Sequence, residues 1–178
     1  MKTLILLRHA KSGWDDHNVR DFDRSLNPKG ERAARTMGNH MRSIGLNWDH
    51  AIASPAIRVV ETLEQVAAGY GRAIEPDWDR RAYLASAVTL LDLIQHAPEN
   101  ADSLLLSGHN PGLEDLVLML VRDGAGLRDE VETKFPTTSL AMMTCESESW
   151  ADLGAGKCAL TTFTRPRDLD PGLGPDTD

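Results

Sequence analysis

The amino-terminal stretch Met1-Lys2-Thr3-Leu4-Ile5-Leu6-Leu7-Arg8-His9-Ala10 decides how the rest of the chain is read. Leu4 to Leu7 form an aliphatic run without polar alternation, which describes a strand buried on both faces, as in a parallel sheet covered by helices. Arg8 and His9 fall where that strand ends. Ligands of open α/β sheets bind outside the carboxyl ends of the strands, so both side chains are expected in a crevice. An arginine that holds an anion beside a histidine able to attack is suited to phosphoryl transfer. Taken singly, such residues are more often a surface cation and a hydrogen-bonded structural histidine, so the assignment depends on what the other strand ends supply.

Working outward, Lys11 to Leu26 has no sustained periodicity and reads as a long loop, a feature often tied to function in compact domains. Asn27-Pro28 then marks a helix start, with Ala34, Met37, Met41 and Ile44 at helical spacing and Gly45 as the stop. His50 to Ala53 is a short second strand. Ser54-Pro55 repeats the cap-and-proline signal before a helix carrying Val60, Leu63 and Ala67 on its buried side. Arg58 sits in that helix's first turn, where backbone N–H groups already favour an anion. Arg72 to Glu75 is read as a brief third strand and Pro76 to Ala85 as irregular. Ala87, Leu90, Leu91 and Ile94 mark the next helix. Ser103 to Ser107 repeats the look of the first strand and leads into Gly108-His109-Asn110-Pro111-Gly112 and another helix. Gly124 to Pro136 is read as loop, and Ser139 to Cys145 and Cys158 to Thr164 as two antiparallel strands. Strands alternating with helices predict an α/β protein, a three-layer α/β/α sandwich with a mostly parallel central sheet and an antiparallel strand. A single domain over 1–167 is expected, followed by a poorly ordered tail over 168–178 rich in Asp, Pro and Gly.

Composition narrows the function. A net charge of -8 argues against a general nucleic-acid or anionic-membrane surface. No run approaches the ~20 apolar residues needed to span a bilayer, and Arg8 cuts the first apolar run short of the ~7–15 residues of a signal peptide core. A cytoplasmic location is the expectation. Cys145 and Cys158 have neither a disulfide-framework pattern nor zinc-ligand spacing, and they are read as free buried thiols.

Three strand-to-helix junctions now stand side by side: Arg8 and His9, Arg58, and His109. If their strands are neighbours, two arginines and two histidines share one anion-sized space. Buried guanidinium groups must be neutralised, and a phosphoryl group is the simplest counter-charge. Nearby Arg8 and Arg58 disfavour protonated His9, which keeps the nucleophile neutral.

The motifs Leu7-Arg8-His9-Ala10, Ser54-Pro55-Ala56-Ile57-Arg58 with Glu61-Thr62, and Ser107-Gly108-His109-Asn110-Pro111 resemble the histidine phosphatase superfamily, whose fold is called phosphoglycerate mutase-like. Arg24-Ser25-Leu26-Asn27-Pro28-Lys29-Gly30 and Phe163-Thr164-Arg165-Pro166-Arg167-Asp168-Leu169 are similar to its small phosphohistidine phosphatase branch, called SixA-like. The likeness runs in order from residue 1 to about residue 169. It implies a phosphohistidine intermediate on His9, a phosphate cradle of Arg8, Arg58 and His109, and no metal or other cofactor. Larger relatives place a carboxylate as proton donor in the loop after the third strand. Here Asp77-Trp78-Asp79-Arg80-Arg81-Ala82-Tyr83 offers no clear equivalent, with Asp79 and Glu75 as candidates only. A missing acid handicaps alkoxide leaving groups more than the ring nitrogen of a phosphohistidine, and it argues against mutase chemistry. Ser25 departs from the branch's usual proline, and Asp15 stands near the place where mutase-like members carry an asparagine.

The expected activity is therefore dephosphorylation of phosphohistidine on a signalling or phosphorelay protein. A small phosphorylated metabolite handled by the same site is the alternative substrate, and a phosphohistidine-binding module without turnover is the alternative from another class. His109 is expected to contact phosphate, either as proton donor or as clamp. His17, His40, His50 and His96 are read as structural or solvated. The four tryptophans are read as packing, with Trp14 and Trp78 also able to wall the site, and Asp15, Asp16, Asp21 and Asp23 as a solvated face, with contact to a basic partner as the alternative. The sequence does not fix the oligomeric state.

Overall fold

The computed structural model describes residues 1–13, 16–122 and 126–174. Trp14 and Asp15 lie outside the described residues. In chain order the elements are β1 (Lys2–Arg8), α1 (Pro28–Ser43), β2 (His50–Ala53), α2 (Ile57–Tyr70), β3 (Asp77–Trp78), α3 (Ala87–Gln95), β4 (Ser103–Gly108), α4 (Gly112–Leu120), α5 (Gly126–Thr133), β5 (Leu140–Cys145), β6 (Cys158–Thr164) and α6 (Pro166–Leu169). The strands form one sheet in the order β3-β2-β4-β1-β5-β6. β1, β2, β3 and β4 run parallel, and β5 pairs antiparallel with both β1 and β6. With helices on both faces this is the expected three-layer α/β/α sandwich with a mostly parallel sheet.

β1 serves both layers because successive side chains of a strand point to opposite faces. Leu4 and Leu6 join Leu104, Leu106, Leu116 and Trp150 in one core, whereas Ile5 and Leu7 join Met37, Met41, Leu63 and Val66 of α1 and α2 in the other. All four β1 aliphatics are fully buried, which is why the run lacks alternation. The register opposes Arg8 to Gly108, so the ends of β1 and β4 coincide and their next residues, His9 and His109, emerge together.

α1 starts as its sequence dictates, with the Asn27 side chain accepting from Gly30 N at 2.8 Å and Pro28 at the first position. It then packs on α2 backbone to backbone. A Cβ built on Gly38 would lie 2.1 Å from the Val66 carbonyl oxygen, and one on Gly69 would lie 2.2 Å from that of Arg35. Only glycine permits that approach.

Several expectations are corrected. The third strand is Asp77–Trp78, not Arg72 to Glu75; its two residues pair with Ile52 and Ala53 of β2, and so short an edge strand has no periodicity to read. The stretch read as loop before Pro136 contains α5, which Val131 anchors in the core with Leu127 packed beside it. Ser54-Pro55 does not cap α2, whose N-cap is Ala56 without a side-chain bond. Cys145 and Cys158 are not free thiols: they are disulfide-bonded, with Cα atoms 4.0 Å apart. A bulge between Met142 and Met143 shifts the β5–β6 register by one and sets Cys145 opposite Cys158, a parity that residue spacing does not reveal. Beyond residue 168, α6 is followed by a 3-10 turn at Pro171–Leu173, and Leu173 is buried; residues 175–178 lie outside the described residues.

Replacing Gly38 with alanine must push α1 and α2 apart. A loss of about 1–3 kcal/mol in urea unfolding is expected, and a variant as stable as the parent would show that the two backbones are not in contact.

Candidate active site

The nucleophile candidate is held by main chain before its side chain is considered. His9 N donates to the Gly108 carbonyl at 3.1 Å, and the His9 carbonyl accepts from Thr138 N at 3.0 Å. Thr138 has φ 65°, a left-handed conformation costly for a β-branched residue and typical of functional sites. Ala10 N donates to Thr62 Oγ1 at 2.8 Å, and that hydroxyl donates to the Arg58 carbonyl at 2.6 Å. One threonine thus ties the first turn of α2 to the residue after His9.

His9 is buried, and its Nδ1 lies 2.7 Å from the Ala10 carbonyl oxygen. A carbonyl only accepts, so Nδ1 carries the hydrogen and Nε2 keeps its lone pair. Burial, and after it the charges of Arg8, His109 and Arg58, lower its pKa well below that of ordinary histidine, against a raising bond from Ala10.

His109 is fixed in the complementary way. Its Nδ1 faces an Arg58 terminal nitrogen at 3.3 Å and its Nε2 faces Ser54 Oγ at 2.7 Å. Arginine has only donors, so Nδ1 accepts and Nε2 donates. Burial and then Arg58 push its pKa down to about 3. The two imidazole centroids are 5.2 Å apart.

Arg58 is 2% exposed. One terminal nitrogen donates to the Asp21 carbonyl at 2.7 Å and the other to Asp21 Oδ2 at 3.1 Å, while its Nε is buried without an acceptor. Arg8 donates to the Phe135 carbonyl at 2.9 Å. Arg8, His9, Arg58 and His109, predicted from three separate motifs, line one cleft of about 320 Å³ together with Lys11, Asp21, Arg24, Leu84, Asn110 and Thr137. Among the described residues its charged lining comprises four cations and one carboxylate, which suits a dianion. A larger groove of about 450 Å³, lined by Met1, Arg122 and Cys158, lies toward the opposite end of β1 and contains none of this chemistry.

Three residues were missed by sequence reasoning. Asp21 is no solvated face residue: its carboxylate bridges Arg58 and Arg24, the latter at 3.1 Å, and accepts from the Tyr83 hydroxyl. Burial pushes that carboxyl up, but the Tyr83 bond and Arg58 outweigh it and hold the pKa below its ordinary value. Tyr83 stands edge-on to His109 with centroids 5.4 Å apart. The signal for Asp21 and Arg24 was the length of the first loop; Tyr83 lies in the irregular stretch after β3. The candidate acids fare differently. Asp79 is bound to Arg81 at 3.0 Å and Glu75 is exposed, and neither lines the cleft. Trp78 is also exposed outside it, and Trp150 is core. Among the described residues no group of three or more His, Cys, Asp or Glu side chains could hold a metal ion.

Comparison with known proteins agrees with this geometry. The model of the histidine phosphatase superfamily (branch 1) matches residues 4–81, which include Arg8, His9 and Arg58. A protein of Mycobacterium tuberculosis with no assigned role is 32% identical over 164 residues, spanning 90% of this chain and 100% of that one. Among solved structures, the proposed phosphohistidine phosphatase SixA of Nakamurella multipartitia superposes with a TM-score of 0.80 at 27% identity, covering 93% of this chain and 96% of that chain. The proposed SixA of Agrobacterium tumefaciens superposes with a TM-score of 0.77 at 29% identity, covering 93% and 98%. The ordered motifs, the shared fold and these matches together establish that the chain belongs to the histidine phosphatase superfamily, in its SixA-like branch.

Proposed function

We propose that the protein is a phosphatase that works through a phosphohistidine on His9 and removes the phosphoryl group from phosphohistidine of a partner protein. The observation that carries this reading is the His9 tautomer. Nδ1–H is committed to Ala10, so Nε2 is the nitrogen left to attack, in a cleft that Arg8 and Arg58 line with it. In the first step Nε2 bonds to phosphorus as the bond to the leaving nitrogen breaks, and that ring takes its proton from solvent or the cleft. Water then attacks phospho-His9, releasing inorganic phosphate and restoring the imidazole. Such a transition state spreads charge over equatorial oxygens, so the protein's work is positioning and cationic clamping. Arginine pairs two oxygens at once and does this better than lysine.

His109 enters the reaction neutral, since its pKa of about 3 leaves almost no imidazolium near pH 7. In the free enzyme its one N–H goes to Ser54 and its lone pair receives Arg58, so it holds Arg58, and an arriving dianion raises its proton affinity. The absence of Asp79 and Glu75 from the cleft favours a leaving group that departs without a strong acid, as the imidazole of phosphohistidine does. The SixA likeness at 27% and 29% identity points the same way. A small phosphorylated metabolite is the competing substrate class.

Turnover of a phosphorylated histidine-containing protein compared with a panel of phosphometabolites tests the assignment; faster turnover of any metabolite would replace the protein substrate. Rapid quenching is expected to trap acid-labile phosphate on wild-type protein and none on His9→Ala. Label persisting in the alanine variant would end the nucleophile assignment. Arg58→Ala is expected to lower kcat by ~10²–10³, measured on the same substrate. Because the His9 pKa is lowered, its neutral form persists as pH falls. The acid limb of kcat/KM is therefore expected well below the ~6.5 of ordinary histidine, and a limb near that value would place protonation of an unperturbed ring in control.

A further inference from the structure

Among the described residues Asp21 is the one carboxylate that lines the catalytic cleft, and it is locked in place. Its main-chain carbonyl and Oδ2 each take an Arg58 nitrogen, at 2.7 and 3.1 Å. Oδ1 takes Arg24 Nε at 3.1 Å, and Oδ2 also takes the Tyr83 hydroxyl. The neighbouring Phe22 ring stands edge-on to Tyr83 with centroids 5.0 Å apart, and the Arg80 guanidinium lies 5.5 Å over Phe22. The 3-10 turn at Asp21–Asp23 is thereby clasped to the 3-10 turn at Arg80–Ala82. This clasp fixes a negative charge on the guanidinium of a residue that lines the cleft and whose buried Nε has no acceptor.

The arrangement has two opposed effects. It aims Arg58, and it opposes any anion that Arg58 binds. We propose that Asp21 is a positioning residue that keeps Arg58 aimed at the phosphoryl site while its negative charge weakens the cleft's hold on free phosphate, so that product leaves after each turnover. The inference rests on the phosphatase reading above and adds the regulation of product release at that site. A dianion beside Arg58 lies one guanidinium away from Asp21, where repulsion between partly buried charges is not screened out.

Replacement of Asp21 with asparagine separates the two effects. The amide oxygen can still accept from Arg58 and Tyr83, and the main-chain carbonyl bond is untouched, but the charge and the bond from Arg24 are gone. The test is titration calorimetry of inorganic phosphate, and separately of tungstate, into wild type, Asp21→Asn and Asp21→Glu. Inhibition of para-nitrophenyl phosphate hydrolysis by phosphate is measured beside it. Asp21→Asn is expected to bind both anions about tenfold or more tightly, with KM and the phosphate inhibition constant falling, and Asp21→Glu to stay within about threefold of wild type. Merely structural damage would weaken binding. Asp21→Ser, a second uncharged variant, is expected to show the same gain if the asparagine protein does not fold. Folded uncharged variants that bind phosphate no more tightly than wild type would overturn the proposal alone. A wild-type protein that neither binds phosphate nor hydrolyses the ester would remove the phosphatase reading, and this inference with it.

Discussion

A guanidinium taken out of water must be answered by acceptors, and Arg58 is the group around which this molecule answers that demand. At 2% exposure it would be prohibitive to bury unpaired. The first loop turns back to present both a carbonyl and a carboxylate to it. Ser54 takes the Nε2 hydrogen of His109, which leaves Nδ1 to accept from the same arginine. Thr62 ties the main chain of Arg58 to that of the residue after His9. Loop conformation, imidazole tautomer and strand-end geometry are therefore parts of one hydrogen-bonded assembly.

The assembly explains how two histidines near several cations remain useful. Burial and positive neighbours both oppose protonation of His9 and His109. Neutral imidazoles then need no counter-charge, and the cationic excess of the cleft is left for the ligand. Tyr83 does several things at once, giving its hydroxyl to Asp21 and making T-shaped ring contacts with Phe22 and His109. It stands in the loop where larger relatives place a proton donor, with Leu84 beside it in the cleft.

Much of this was legible in the residues. The unbroken Leu4–Leu7 run announced a strand buried on both faces, and polar groups at the ends of β1, β2 and β4 announced the cleft. Parallel order made those ends converge. What stayed hidden shares one cause, the dependence of a residue's role on contacts remote in sequence. Asp21 meets Arg58 and Tyr83 across separations of 37 and 62 residues, and nothing local distinguishes it from Asp23. The Cys145–Cys158 bond depends on a bulge at Met142/Met143. Ser54 looked like a helix cap because its neighbour is proline, yet its hydroxyl sets a histidine tautomer instead. The edge strand Asp77–Trp78 was too short for any pattern.

The glycine contacts between α1 and α2 reach beyond stability. Helices whose main chains touch at Gly38 and Gly69 cannot slide or rock against each other as helices cushioned by large side chains do. Since α2 carries Arg58 and Thr62, the floor beneath the reacting atoms behaves as a stiff slab. Accommodation of incoming molecules of different shape is left to the rim, where Leu84 lines the cleft. Selectivity among relatives sharing this slab should then diverge by rewriting the rim, leaving the floor unchanged.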